Sequence, residues 1–322
     1  PLSDIISIPE TVLLDFCNNI GQGSETDPTE VGDNILEYVQ YLKDNPVETI
    51  GISSGYPILD KAIGGLRRKS VTLCGARAKT GKTFLGINIG KYTSSVGIRT
   101  LFLDTEMSKE QVQNRLIGIS SGLSIDEIEK GQFTDNINKV DKIDKAAQEI
   151  HTLPLDYISI AGRPFEEVLS IMRRWIIKKV GYENGTTKDA IIILDYLKLM
   201  DEKEVASMQE YQKLGFMMTH LHNFSVKYDI PIVAFVQLNR DGITKESTDA
   251  ISGSDRQIWL CTNFLIYKRK GVEEIAEDGS NLGTHKLIPI ETRHARGLDD
   301  GDYINMSFGD SGKIEERGRK KN

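Results

Sequence analysis

The stretch SVTLCGARAKTGKTF, Ser70 to Phe84, limits the folds open to this chain more than any other feature. A short apolar run, a turn of small residues and Gly81-Lys82-Thr83 opening a helical pattern describe strand, loop and helix in that order. A phosphate-binding loop needs this context, because backbone N–H groups and the helix dipole at a helix start favour negative charge. The match to G-x-x-x-x-G-K-[ST] is incomplete: Ala76 stands at the first glycine position and Gly75 falls one residue early. Read as a nucleotide loop, the contacts are Ala76, Arg77, Ala78, Lys79, Thr80, Gly81, Lys82, Thr83 and Phe84. Lys82 would reach the β- and γ-phosphates of ATP, and the Thr83 hydroxyl would ligate Mg2+.

Strands and helices alternate from Ile50 onward. After SVTLC come RTLFLD (99–104), LDYISI (155–160), AIIILD (190–195) and PIVAFVQL (231–238), each separated from the next by a helical pattern. Such alternation predicts a mainly parallel sheet covered on both faces, with the unbroken apolar AIIILD deep inside it. Beyond about residue 260, TNFLIYKRK, HKLIPIET and YINMSF read as strands joined by turns, an antiparallel extension of the sheet. Ahead of the domain, NILEYVQYLKD carries Ile35, Leu36, Val39 and Leu42 at helical spacing. Its apolar stripe must be covered by the chain's own core or by a neighbouring subunit. At the other end RGRKKN reads as a solvated basic tail. The expected organisation is an N-terminal segment over 1–48, one α/β domain over 49–312 and a tail over 313–322.

Bulk properties exclude several classes. The 322 residues, 39% hydrophobic and 27% charged, have globular composition. No apolar run reaches the roughly 18 residues of a membrane span, and the N-terminus lacks a secretory layout, so a cytoplasmic protein is expected. Cys17, Cys74 and Cys261 are odd in number and widely spaced, which supports neither a disulfide framework nor a zinc site. A net charge of -7 argues against coating nucleic acid by bulk positive charge, but leaves room for a local basic surface.

Three polar residues end predicted strands. Asp195 closes IIILD at the sheet edge where α/β proteins bind ligands, placed to hold Mg2+ directly or through water. Glu106 follows RTLFLD and could polarise a water attacking the γ-phosphate, with Asp104 as the competing candidate. Gln237 ends AFVQ, where an amide can touch the γ-phosphate, and a long polar stretch follows it. His220 and His222 have i,i+2 spacing and make a poor metal pair, while Trp175, Met172 and Ile176 read as packing.

Taken together, these motifs resemble those of the DnaB-like replicative helicases. GISSGYPILDKAIGGL is similar to the family's T-G-x-x-x-L-D-x-x-x-G-G-L phrase, and GARAKTGKTF to its A-R-P-x-x-G-K-[ST] loop, which accepts alanine at the first position. DTEMSKEQVQNRL, ILDYLKLM, VQLNR and ISGSDRQIWLCTNFLIYKR resemble its later motifs in the right order. The resemblance implies a RecA-like core in a homo-hexameric ring that binds ATP and Mg2+ between subunits and moves 5′ to 3′ on single-stranded DNA. It implies Glu106 as base, Lys82 and Gln237 at the γ-phosphate, and Thr83 and Asp195 at the metal. The family's trans-acting K-x-R-[NH]-G phrase is matched imperfectly by Arg293-His294-Ala295-Arg296-Gly297, so Arg293 and Arg296 are the candidates to reach a neighbour's ATP. DNA contacts are expected over 201–210 and from Arg240, Lys245 and Arg256. A primase and a helicase loader are candidate partners. Bacterial members carry a helical domain and linker where only about 48 residues stand here, so a phage-like variant or a trimmed chain is expected. A RecA-type recombinase and a non-catalytic ATP-binding scaffold are the alternative readings.

Overall fold

A computed structural model of the chain describes residues 30–47, 49–183, 185–197, 210–238 and 260–320. Helix α1 spans Ile35–Asp44, and α2, Pro57–Ile63, leads to β1, Val71–Ala76. Then follow α3 (Lys82–Ser95), β2 (Arg99–Asp104), α4 (Lys109–Ser121), α5 (Ile125–Glu129), α6 (Ile137–Thr152) and β3 (Leu155–Ser159). Helix α7 (Phe165–Trp175) runs into a π-turn and a small hairpin, β4 (Tyr182–Glu183) with β5 (Thr186–Thr187). Strand β6 (Ala190–Asp195), α8 (Glu210–Lys227), β7 (Ile232–Gln237), β8 (Asn263–Arg269) and α9 (Val272–Asp278) come next. Strands β9 (His285–Thr292), β10 (Ile304–Phe308) and β11 (Ile314–Arg319) complete the chain.

Nine strands form one sheet in the order β11-β10-β9-β8-β1-β7-β6-β2-β3. From β8 to β3 all neighbours are parallel, and β9, β10 and β11 add antiparallel pairs, as the sequence predicts. Alternate strand residues serve opposite faces. Val71, Leu73, Ile192 and Leu194 pack with Phe165, Met172, Met218 and Leu221 of α7 and α8. On the other face Cys74, Phe102, Ile193 and Phe235 pack with Leu59, Leu85, Ile89 and Leu116 of α2, α3 and α4. Cys74 is buried, and that burial pushes its thiol up to about 12, so it is an inert core group. His220 packs against the Phe216 and Phe165 rings, the structural role its spacing suggests.

The tail differs from expectation. Residues 314–319 are not a solvated end but the edge strand β11, antiparallel to β10, so the sheet runs past the expected boundary at 312. Only Ile314 of this strand is buried, and the IEERGR composition is what a sheet edge carries to deter further pairing. Helix α1 forms where periodicity places it, but its stripe is uncovered: Leu36 is 82% exposed, Leu42 49% and Val39 39%. None of its residues is buried.

Candidate functional site

The parallel strands end in register. Ala76 of β1 pairs with Gln237 of β7, and Asp104 of β2 with Asp195 of β6. With β6 and β7 adjacent in the sheet, the loop, the Glu106 turn, Asp195 and Gln237 meet at one edge. A cavity of about 350 Å3 lies there, lined by Lys82, Thr83, Glu106 and Gln237, among others, with Asp195 paired to Lys82 at its wall.

The misplaced glycine has a packing explanation. A Cβ on Gly75 would lie 2.6 Å from the Leu238 side chain, so bulk is excluded there. Ala76, by contrast, is still a strand residue, paired with both Gln237 and Tyr267, and needs no glycine. The loop's conformational demands fall later: Lys79 has φ 64° and Gly81 φ 92°. A Cβ on Gly81 would come within 2.7 Å of the Phe308 ring, so both torsion and space require glycine at that position. Every residue from Ala76 to Phe84 lines the cavity except Thr80, whose hydroxyl turns back to the Arg77 carbonyl.

Lys82 is held by its own site. Its Nζ lies 2.7 Å from Asp195 Oδ1 and 3.5 Å from the Tyr196 ring centroid. Burial lowers the lysine's pKa, while the Asp195 carboxylate and, less strongly, Glu106 support its charge. Asp195 is 2% exposed. Asp104 and Glu106 differ in their hydrogen bonding: the buried Asp104 carboxylate accepts from the Glu106 N–H at 2.9 Å and from the Met107 N–H. Burial raises its pKa, those two N–H groups oppose the rise, and its role is to shape the turn. Glu106 is left exposed on the cavity wall. Ser108 and Gln111 then form a reciprocal cap that starts α4, as the polar first turn predicts.

Sequence reasoning missed three cavity residues. Arg115, nine residues after Glu106 on α4, stacks over Phe84 at 4.5 Å, and burial lowers its pKa against the charges of Asp104 and Asp195. Its only signal was a cation beside the Val112 and Leu116 stripe. Tyr196 follows Asp195 directly; burial first, and then a hydrogen bond to Glu106 and that carboxylate's charge, raise its phenol pKa. Phe308 arrives from β10 to meet Phe84 with ring centroids 5.1 Å apart, a contact no local pattern announces.

Arg293 and Arg296 lie elsewhere. Strand β9 runs against β8, with His285 opposite Arg269 and Thr292 opposite Asn263. The loop after β9 therefore sits at the far edge of the sheet, roughly 20 Å of strand away from the cavity edge. Both arginines are exposed there, with Arg296 3.5 Å from Asp299. Arg240, Lys245, Arg256 and the stretch 201–209 lie outside the described residues.

Residues 51–252 match the DnaB-like helicase C terminal domain family. The chain belongs to that family. Among curated relatives, a probable replicative DNA helicase of Trieres chinensis is 26% identical over 243 residues, 74% of this chain and 51% of its own length. A solved DnaB-like replicative helicase, described with its interactions with primase, superposes with TM-score 0.77 at 18% identity, covering 89% of this chain and 68% of that one. The RadB recombinase shares the fold more distantly, at TM-score 0.52 and 16% identity, with 83% of this chain and 99% of that one covered. The chain spans about half the length of the curated relatives it matches. As a DnaB-like domain it has a RecA-like sheet with antiparallel strands at its C-terminal end. No helix among the described residues is long and apolar enough to cross a membrane.

Proposed function

We propose that this chain is the motor of an ATP-driven replicative DNA helicase. The observation that carries the reading is the meeting of Lys82, Glu106 and Gln237 around one cavity, with Asp195 paired to Lys82, while Arg293 and Arg296 stand at the opposite sheet edge. A site that gathers a lysine, a base and an acid, in a chain that presents two further exposed arginines on its far side, suits hydrolysis shared between copies. The uncovered stripe of α1 supports assembly, because a neighbouring copy can bury it. A closed homo-hexameric ring, with single-stranded DNA in the channel and 5′ to 3′ movement, is the assembly this family membership favours. Arg240, Lys245 and Arg256 are the proposed phosphate contacts.

The donor set fits Mg-ATP. Asp195 is buried with Lys82 as its counter-charge, an acid and a cation that phosphates and a divalent ion can separate. Thr83 and Asp195 would hold Mg2+, which supplies charge neutralisation on the β- and γ-phosphates. Loop N–H groups and Lys82 bind the phosphates, and Arg115 and the Phe84–Phe308 pair enclose the remainder of the nucleotide. Glu106 accepts the proton of a water that attacks the γ-phosphorus, and the bond to the β–γ bridging oxygen breaks to give ADP and phosphate. Gln237, at the end of β7, contacts the γ-phosphate and transmits its loss to the polar segment that follows. Single-strand-stimulated ATPase tests the reading. Assembled wild-type protein with Mg2+ and DNA should exceed Lys82→Ala and Glu106→Gln by at least two orders of magnitude; equal rates would sink it. Filaments that pair homologous strands, in place of closed rings, would favour the recombinase reading.

A further inference from the structure

The loop carrying Arg293 and Arg296 is fastened to a part of the chain that the reading above leaves without a role. Helix α2 ends at Ile63, and its last carbonyls need donors from outside the helix. One donor is the arginine loop itself: the Gly297 N–H bonds to the Ala62 carbonyl at 3.1 Å. A second bond runs the other way across the same junction, from Arg67 Nη2 to the His294 carbonyl at 3.1 Å. Arg67 reaches that carbonyl by crossing Gly64, the left-handed cap of α2. A Cβ on Gly64 would lie 2.8 Å from the Arg67 guanidinium, so the glycine's missing side chain is the space in which the arginine lies. Arg67 is half-buried; its Nη2 donates to the His294 carbonyl, and its buried Nε has no partner among the described residues.

The other end of α2 is also fixed. Glu316 on β11 accepts from the Ile58 and Leu59 N–H groups, both at 2.9 Å. Ile314 of the same strand donates to Asn88 Oδ1 on α3, the helix that begins at the phosphate loop, at 3.2 Å. Helix α2 is thus a short strut, braced through β11 on the phosphate-loop helix at one end and holding the arginine loop at the other.

We propose that Arg67 is a positioning residue for nucleotide hydrolysis in the adjacent subunit, fixing the Arg293–Gly297 loop on the end of α2 so that its arginines point at the neighbour's phosphates. The inference rests on the shared-site reading above. Within the loop, Thr292 Oγ1 donates to the Ala295 carbonyl at 2.9 Å, and Gly297 is tied to Ala62. The His294 carbonyl, between these two points, is held by Arg67. Releasing it frees the segment that bears both arginines. A displacement of about 1 Å of a catalytic group costs on the order of a hundredfold in rate.

Co-assembled rings separate the two ideas. Wild-type subunits are mixed with an excess of Lys82→Ala subunits, which cannot hydrolyse ATP but still present their arginines to neighbours. Dopants carrying Lys82→Ala together with Arg293→Ala, Arg296→Ala, Arg67→Ala or Arg67→Lys are then compared by ATPase rate per wild-type subunit. The expected order is little loss for Arg67→Lys, about ten- to a hundredfold for Arg67→Ala, and at least as much for Arg293→Ala. In parallel, hydrogen exchange of Arg67→Ala should quicken about tenfold at the Gly297 amide, as loss of a charge-assisted bond beside it implies, while Ile191 to Leu194 stay unchanged. If the Arg67→Ala dopant matches plain Lys82→Ala while Arg293→Ala depresses the rate, the positioning role is wrong and the shared site stands. If Arg293→Ala and Arg296→Ala dopants both leave the rate unchanged, the shared-site reading and the inference fall together. Equal acceleration of exchange in the central strands would mark Arg67 as a general stability residue and also overturn the proposal.

Discussion

The ion pair at the centre of the site makes a quantitative prediction. Lys82 Nζ and Asp195 Oδ1 are 2.7 Å apart, with side chains 13% and 2% exposed, so neither is much screened by water. Replacing Lys82 with methionine leaves a buried carboxylate without its counter-ion, which costs about 3–5 kcal/mol. Loss of the ammonium from the face of Tyr196, 3.5 Å away, adds about 0.5–1 kcal/mol. Asp195→Asn should be milder, about 1–2 kcal/mol, because the remaining lysine can swing into the open cavity and regain water. The double variant removes both charges and should recover part of the summed loss, giving a coupling of roughly 2–3 kcal/mol. The assay is urea and thermal denaturation of the four nucleotide-free proteins at one protein concentration. A loss of 3 kcal/mol corresponds to a melting shift of roughly 6–12 °C. Simple additivity of the two single changes would show that the pair does not exist in the nucleotide-free protein and would refute the argument.

Other expectations follow from the same physics. His285 is buried between Tyr267 and Phe308, and burial, helped by the Arg269 charge, lowers its pKa to about 4. Because the unfolded histidine binds a proton first, stability should fall by roughly 3 kcal/mol as pH drops from about 6.5 to about 4; His285→Phe should flatten that slope in denaturant titrations. Lys270 and Asp278 are 2.8 Å apart with side chains 0% and 2% exposed, so Lys270→Met should cost about 3–5 kcal/mol in equilibrium unfolding, although Lys270 does not line the cavity. Gly81→Ala combines a left-handed backbone with overlap on Phe308 and should lose about 1–3 kcal/mol together with tripolyphosphate binding in calorimetry. Removing Mg2+ with a chelator should sharply reduce the thermal stabilisation given by ADP, because phosphates that draw Lys82 away leave Asp195 without a counter-charge.

The identity of the site is written locally. Each candidate group of the cavity edge follows a buried strand: the loop after VTLCGA, Glu106 after RTLFLD, Asp195 closing AIIILD, Gln237 closing IVAFVQ. An apolar run ending in a polar residue is visible in one dimension, because a parallel strand must be apolar along its length and can be polar only where it leaves the sheet. What could not be read was set by contacts between distant segments. The charged IEERGR becomes a strand because β10 offers it a free edge, and its own pattern carries only one core contact, Ile314. Phe308, from β10, closes on Phe84 across more than 200 residues. Asp104 and Glu106 are equivalent in sequence until two backbone N–H groups engage one and leave the other at the cavity. The far-side location of Arg293 and Arg296 was decided only by the antiparallel direction of β9, a matter of pairing with β8 rather than of any residue within the motif. The sequence by itself determined which chemistry is present, since that depends on residue type and on strand ends; tertiary structure decided which groups meet, because strand order and direction come from packing over the whole sheet.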